Sequence, residues 1–290
     1  MKGWNVTTVW IPAVRGVRRL RQTLCATLFT AASLMAPAAI ASAADPIRVH
    51  AAGSLGTAMG ELIAASGLPE GSVARPTFGP AGALRQRLVG GEPTDLFASA
   101  DLAQPRALAE ARPGTLVVPF ARNRMCILSR DTLGLTAESV LDTMLSPDFR
   151  LAASTPGADP GGDYARGVFA RAEVVRPGAE AALTAKTLLL LGGPGSMTPR
   201  AGHTPIATIF LENAADGLLY YCSGTEAAKR EVPGLISMPV PLSLEVHPVY
   251  TIALVTDRSE AARLALFMLS AQGQAILARA GLLPLVEERR

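Results

Sequence analysis

This chain has little of what metal and acid–base chemistry needs: three histidines and three cysteines in 290 residues. No Cys/His group stands at metal-ligand spacing, so no cation site is expected. His50, His203 and His247 lie in unrelated contexts, and none announces the base of a catalytic triad. Gly192-Gly193-Pro194-Gly195 with Ser196 is glycine-rich but lacks the lysine of a nucleotide-binding P-loop. Beyond residue 43 there is no second apolar run of membrane-spanning length. Internal repeats and low-complexity linkers are missing as well.

Acidic residues are absent from the N-terminal segment, which carries Lys2, Arg15, Arg18, Arg19 and Arg21. Thr23 to Ile40 is apolar and uncharged, Pro37 interrupts it, and Ala41-Ser42-Ala43 matches a cleavage site. Residues 1–43 therefore read as a secretory signal peptide, removed before Ala44, and the product is expected in the periplasm. Cys25 is too early, and in the wrong context, for lipid attachment. Without the leader, 22 basic residues face 24 acidic ones, a net charge of −2. The basic balance of the whole chain thus belongs mostly to the leader, and a nucleic-acid partner is not expected. About 247 residues remain, enough for one large domain or two small ones. Cys126 and Cys222 would meet an oxidising compartment, where they either pair or stay as buried thiols.

Strand and helix signals alternate along the rest, the order of an α/β protein with largely parallel sheets. Strands are expected at Ile47–Ala51, Val73–Phe78, Leu96–Ser99, Thr115–Phe120, Met125–Leu128, Leu151–Ala153, Leu218–Cys222 and Val249–Val255, and Leu188–Leu191 is an apolar stretch that ends at a glycine-rich loop. Helices are expected at Leu55–Ser66, Ala83–Val89, Pro105–Ala111, from about Tyr164, at Ile206–Asn213, and as one long helix over Ala261–Leu277.

Three strand-to-helix turns are rich in small residues. Ser54, in Ala52-Gly53-Ser54-Leu55-Gly56, is open to three roles: helix cap, anion contact, or nucleophile of an altered hydrolase elbow. Phe78-Gly79-Pro80-Ala81-Gly82 carries no charge, so an anion there would meet backbone N–H groups. Pro160-Gly161-Gly162-Asp163-Tyr164 lets a ligand approach the backbone, while Asp163 would oppose an anion. Tyr221, at a strand end, is either a core aromatic or a donor into a cleft.

The order and wording of these segments resemble the periplasmic molybdate-binding proteins of ABC importers. An A-A-x-S-L turn is matched by Ala51 to Leu55, F-x-x-S-x-x-L by Phe78 to Leu84, and P-x-D-x-F-x-S-A-D by Pro93 to Asp101. Asn123 to Leu128, the P-x-G-x-Y-A start at Pro160 to Ala165, Tyr221 and Gly281 follow in register. The resemblance implies a two-lobed type II periplasmic-binding-protein fold with two crossings. One lobe would hold residues 44–122 and 248–290, the other 123–247. It implies a monomer without cofactor or catalysis, which takes molybdate or tungstate in the cleft and delivers it to an ABC permease. The ligand set would be Ser54, the Ala81 and Gly161 amides, Tyr221, and His203 or Thr204, with Thr204 preferred. The family's second serine falls on Ala81, and Asp163 stands where neutral or basic residues are usual. Another oxyanion or a small organic acid on the same fold is the alternative reading, and a serine hydrolase using Ser54 a more distant one.

Overall fold

The computed structural model describes residues 45–285; the signal peptide assigned to residues 1–43 lies outside them. β1 (Val49–Ala52) passes through a 3₁₀ turn at Gly53–Leu55 into α1 (Gly56–Ala65). β2 (Thr77–Gly79), α2 (Ala81–Val89), β3 (Leu96–Ser99), α3 (Ala103–Ala111) and β4 (Leu116–Arg122) follow. Next come β5 (Met125–Arg130), α4 (Val140–Leu145), β6 (Leu151–Ser154), α5 (Pro160–Val175), α6 (Ala179–Lys186) and β7 (Leu188–Leu191). Then α7 (Pro205–Leu211), β8 (Gly217–Tyr221), α8 (Cys222–Glu231) and β9 (Leu235–Pro239) lead to β10 (Val249–Leu254), α9 (Ser259–Leu269) and α10 (Ala271–Arg279).

Two five-stranded sheets result, ordered β2-β1-β3-β10-β4 and β7-β6-β8-β5-β9. β1, β3, β6 and β8 are buried at every position. Helices cover both faces of such strands, which is why they read as unbroken apolar or small-residue runs without alternation. Each sheet has two parallel and two antiparallel pairings, a more even mixture than the expected largely parallel sheets. The antiparallel share comes from β10, which returns from the other lobe to lie between β3 and β4, and from β5, which lies between β8 and β9.

The chain crosses between lobes at β4–β5 and again before β10. These crossings are stitched side by side: Asn123 N donates to Pro248 O at 2.9 Å, and Arg122 N to Leu283 O at 2.8 Å. Cys126 and Cys222 are joined in a disulfide, which ties β5 to the first residue of α8.

Two sequence expectations need correction. The long helix over Ala261–Leu277 is two helices with a 67° bend at Ser270. Ser270 is extended, its hydroxyl oxygen accepts the Gly273 amide at 3.1 Å, and α10 starts afresh behind it. α5 begins at Pro160 and not near Tyr164, with Asp159 as its cap and Pro160 in the first turn.

Candidate functional site

The C-terminal ends of β6 and β8 lie side by side, because those strands are parallel neighbours. Open α/β sheets place ligands at such strand ends, where helix N-termini also point. Ser154 ends β6, Tyr221 ends β8, and the first turn of α5 packs over both. Glycine makes this approach possible. A Cβ on Gly161 would sit 3.2 Å from Ser154 Oγ and 3.4 Å from a Tyr221 ring carbon. A Cβ on Gly162 would fall 2.5 Å from both Ser154 O and Pro156 N.

Thr155 Oγ1 and the Tyr221 hydroxyl are buried here without hydrogen-bond partners, and Ser154 Oγ, buried beside them, donates towards the Asp159 carboxyl. Each unsatisfied group costs about 1–3 kcal/mol, so two of them around one helix start mark a built polar site. Tyr221 stacks edgewise among Tyr164, Tyr220 and Tyr250, with centroids 5.1–6.1 Å away. Burial pushes the hydroxyls of Tyr220, Tyr221 and Tyr250 above the ordinary phenol range, so all three remain protonated donors at neutral pH.

Asp159 occupies the helix N-terminus itself. Its Oδ1 accepts the Gly161 amide at 3.1 Å. Burial raises its carboxyl above the usual range against the pull of that amide and of the Ser154 hydroxyl, and the charges of Asp163 and Asp101 push the same way as burial. Asp163 is exposed and turned to the adjacent loop, where Oδ1 accepts the Gly157 amide at 3.0 Å.

Beside this lies a cavity of about 390 Å³, space for about a dozen waters at about 30 Å³ each. Ser54, Thr57, Asp159, Thr204, Tyr220 and Ser223 supply its polar wall, and no lysine or arginine lines it among the described residues. Ser54 and Thr204 are thus the two expected ligand residues on the wall. Ser54 caps no helix; its hydroxyl pairs with the Tyr250 hydroxyl at 2.8 Å. Asn123 Nδ2 donates to the same Tyr250 oxygen at 3.1 Å and to Ser223 Oγ at 2.7 Å. One polar network therefore links the first lobe, the hinge and the start of α8. Thr204 caps α7, its Oγ1 accepting the Ala207 amide at 3.2 Å.

Ala81, Gly161 and Tyr221 stand behind the wall. Ala81 is fully buried at the start of α2, next to the wall residue Pro80. There the lobes touch: Ala83 N donates to Ala158 O at 3.3 Å. The Gly161 amide is engaged by Asp159, and Tyr221 is adjacent to the wall residue Tyr220.

Ser154, Thr155, Asp159, Tyr250 and Ser223 were not anticipated as site residues. Asp-Pro at the head of a helix was the available signal for Asp159; the others come together only through strand pairing. The Asp95–Asp101 block turns out to be scaffold. Asp95 accepts the Arg48 amide at 2.7 Å and the Thr256 hydroxyl at 2.9 Å. Asp101 accepts the Ser99 hydroxyl at 2.7 Å and the Gln104 amide at 3.2 Å, at the head of α3.

Two mixed α/β lobes, two adjacent crossings and a polar cleft between them define a periplasmic-binding-protein fold of the type II class. The bacterial extracellular solute-binding protein family matches residues 47–283, and the chain belongs to it. It is 37% identical over 210 residues to the uncharacterized protein PM1146 of Pasteurella multocida (strain Pm70), covering 71% of this chain and 86% of that one. Among solved structures it resembles the sulfate-binding protein SubI of Mycobacterium tuberculosis H37Rv at a TM-score of 0.66 and 17% identity, over 83% of this chain and 87% of that one. It also resembles the periplasmic molybdate-binding protein of Azotobacter vinelandii at a TM-score of 0.62 and 18% identity, over 83% of this chain and all of that one. At these identities the structures share the fold. The hydrolase alternative finds little support in the geometry. Ser54 is held by Tyr250, His50 is engaged by Thr94 and Glu92, and His203 by Glu231.

Proposed function

We propose that this chain is the capture subunit of an ABC importer, exported to the periplasm, which encloses a small anion between its lobes and hands it to a membrane permease. The lobes would be residues 44–122 with 248–290, and 123–247, closing about the paired crossings as a monomer. No bond is made or broken in this cycle. The observation that carries the reading is a cleft wall of neutral donors with no lysine or arginine among the described residues, backed by the buried, unpartnered hydroxyls of Thr155 and Tyr221. Oriented neutral dipoles in a dry site can hold an anion without a salt bridge. Molybdate and tungstate are the first ligands to try, on the strength of the sequence resemblance, with Ser54, Tyr221, Thr204 and the Ala81 and Gly161 amides as contacts. A second reading, a small organic acid or a protonated oxyanion, is favoured by the Asp159 carboxyl on the wall and the roomy cavity.

Isothermal calorimetry on the exported protein tests the proposal, with molybdate, tungstate, sulfate, phosphate and small carboxylates. Tyr221→Phe removes one of the proposed donors and is expected to weaken binding about tenfold or more, the scale of a hydrogen bond to a charged group. Absence of binding across the panel, or an undiminished Tyr221→Phe, would count against this use of the cleft.

A further inference from the structure

The ligand class depends on one residue that the sequence pattern passed over. Asp159 is about nine-tenths buried on the cavity wall, so water screens it little. An ionised carboxylate accepts hydrogen bonds and donates none. The carboxyl takes the Gly161 amide and the Ser154 hydroxyl, and among the described residues the wall carries no lysine or arginine to neutralise it. Asp159 also sits where a bare anion would otherwise use the N-terminus of α5. The rest of the polar wall is neutral: Ser54, Thr57, Thr204, Tyr220 and Ser223.

We infer that Asp159 is a specificity determinant, selecting an anion that carries its own O–H donor over a fully deprotonated dianion. This rests on the cleft being the ligand site. The cargo class is then a hydroxy carboxylate or a protonated oxyanion such as hydrogen phosphate. Its hydroxyl donates to Asp159, and its anionic end meets the neutral donors of the same wall, Ser54, Thr204 and Ser223. A bare tetrahedral dianion offers Asp159 only like charge, the repulsive element by which a site rejects a wrong partner. A site built to accept a ligand hydroxyl also leaves its own buried acceptor unpaired when the hydroxyl is missing. The cavity of about 390 Å³ is consistent with cargo larger than a bare ion.

The test is calorimetry on the full chain, expressed with its own leader, comparing wild type, Asp159→Asn and Tyr221→Phe. The donor-free probes are molybdate, tungstate and sulfate; the donor-bearing ones are hydrogen phosphate, lactate, glycerate and malate. The wild type is expected to bind at least one donor-bearing probe at least tenfold more tightly than any donor-free one. Asp159→Asn keeps a capping side chain but swaps an acceptor for a donor, so that ratio should fall at least tenfold, with donor-free anions gaining. Asp159→Ser, another capping residue, should move it the same way if the Asn variant does not fold. An unchanged ratio in the variants overturns the inference, as does a wild type that prefers molybdate or tungstate to every donor-bearing probe. If those ions bind and Tyr221→Phe weakens them while Asp159→Asn does not, only the inference falls. If no probe binds, the cleft reading falls with it.

Discussion

Gly82 gives a direct test of whether the contact between lobes is a closure contact. It is the second residue of α2, and a Cβ there would lie 2.4 Å from Gly157 O and 2.7 Å from Ala158 O. Gly82 is in the first lobe, and both carbonyls are in the second. A methyl group needs about 3.5 Å, so Gly82→Ala requires the lobes to part by about 1 Å at this point. That separation breaks the 3.3 Å bond from Ala83 N to Ala158 O, worth about 0.5–1.5 kcal/mol. It also draws α2 away from the α5 turn. With about 1.4 kcal/mol per factor of ten, the expected result is roughly a tenfold loss of affinity for whichever anion of the panel binds tightest. Thermal stability should change little, because the clash falls on one backbone contact and leaves the buried strands of both sheets in place. Small-angle scattering should show a larger radius for the variant in the presence of ligand. An unchanged affinity and radius would refute the closure argument. So would a collapse of the melting temperature, which would make this contact part of the folding core.

Other expectations follow from single positions. Gly162→Ala puts a Cβ 2.5 Å from Ser154 O and Pro156 N, all within one lobe, so it should cost about 1–3 kcal/mol or more in urea unfolding. Replacing Cys126 and Cys222 together by serine opens a link across 96 residues, and about 4 kcal/mol should be lost. For a chain of this size that corresponds to a melting temperature lower by roughly 8–16 °C, read by calorimetry with and without reductant. Burial raises the Asp159 pKa above the unfolded value. Its contribution to stability is therefore complete below the ordinary aspartate range and is lost as pH rises through the folded value. Asp159→Asn should consequently melt higher than wild type near neutral pH, with the gap closing as pH falls towards about 4; a constant gap would contradict the burial argument.

Much of the scaffold was legible along the chain. Buried strands such as Leu96–Ser99 and Leu151–Ser154 stand out as short apolar or small-residue runs before turns, because both faces are covered. α8 was missed, since Cys222-Ser223-Gly224-Thr225 is a poor helix start by composition. Its placement comes from the disulfide and from β8, which delivers the chain to it. The break at Ser270 was missed because the apolar face continues on both sides of it. Periodicity does not register a capping serine that restarts the helix.

The sequence by itself determined an α/β alternation with small-residue turns at Ser54, Ala81 and Gly161, because local period and turn chemistry are readable within a few residues. The resemblance to the molybdate-binding proteins, not local pattern, pointed Ser54 and Thr204 to a cleft. Only the tertiary structure decided what the cleft presents to a ligand. Ser54 is paired with Tyr250, 196 positions away, and Asp159 takes the Gly161 amide expected for the anion. Ser154 and Tyr221 meet because β6 and β8 pair in parallel. Hydrogen-bond partners are chosen by proximity in space, and a backbone donor already engaged is not free for a ligand. What the cleft can accept is therefore written in long-range pairing.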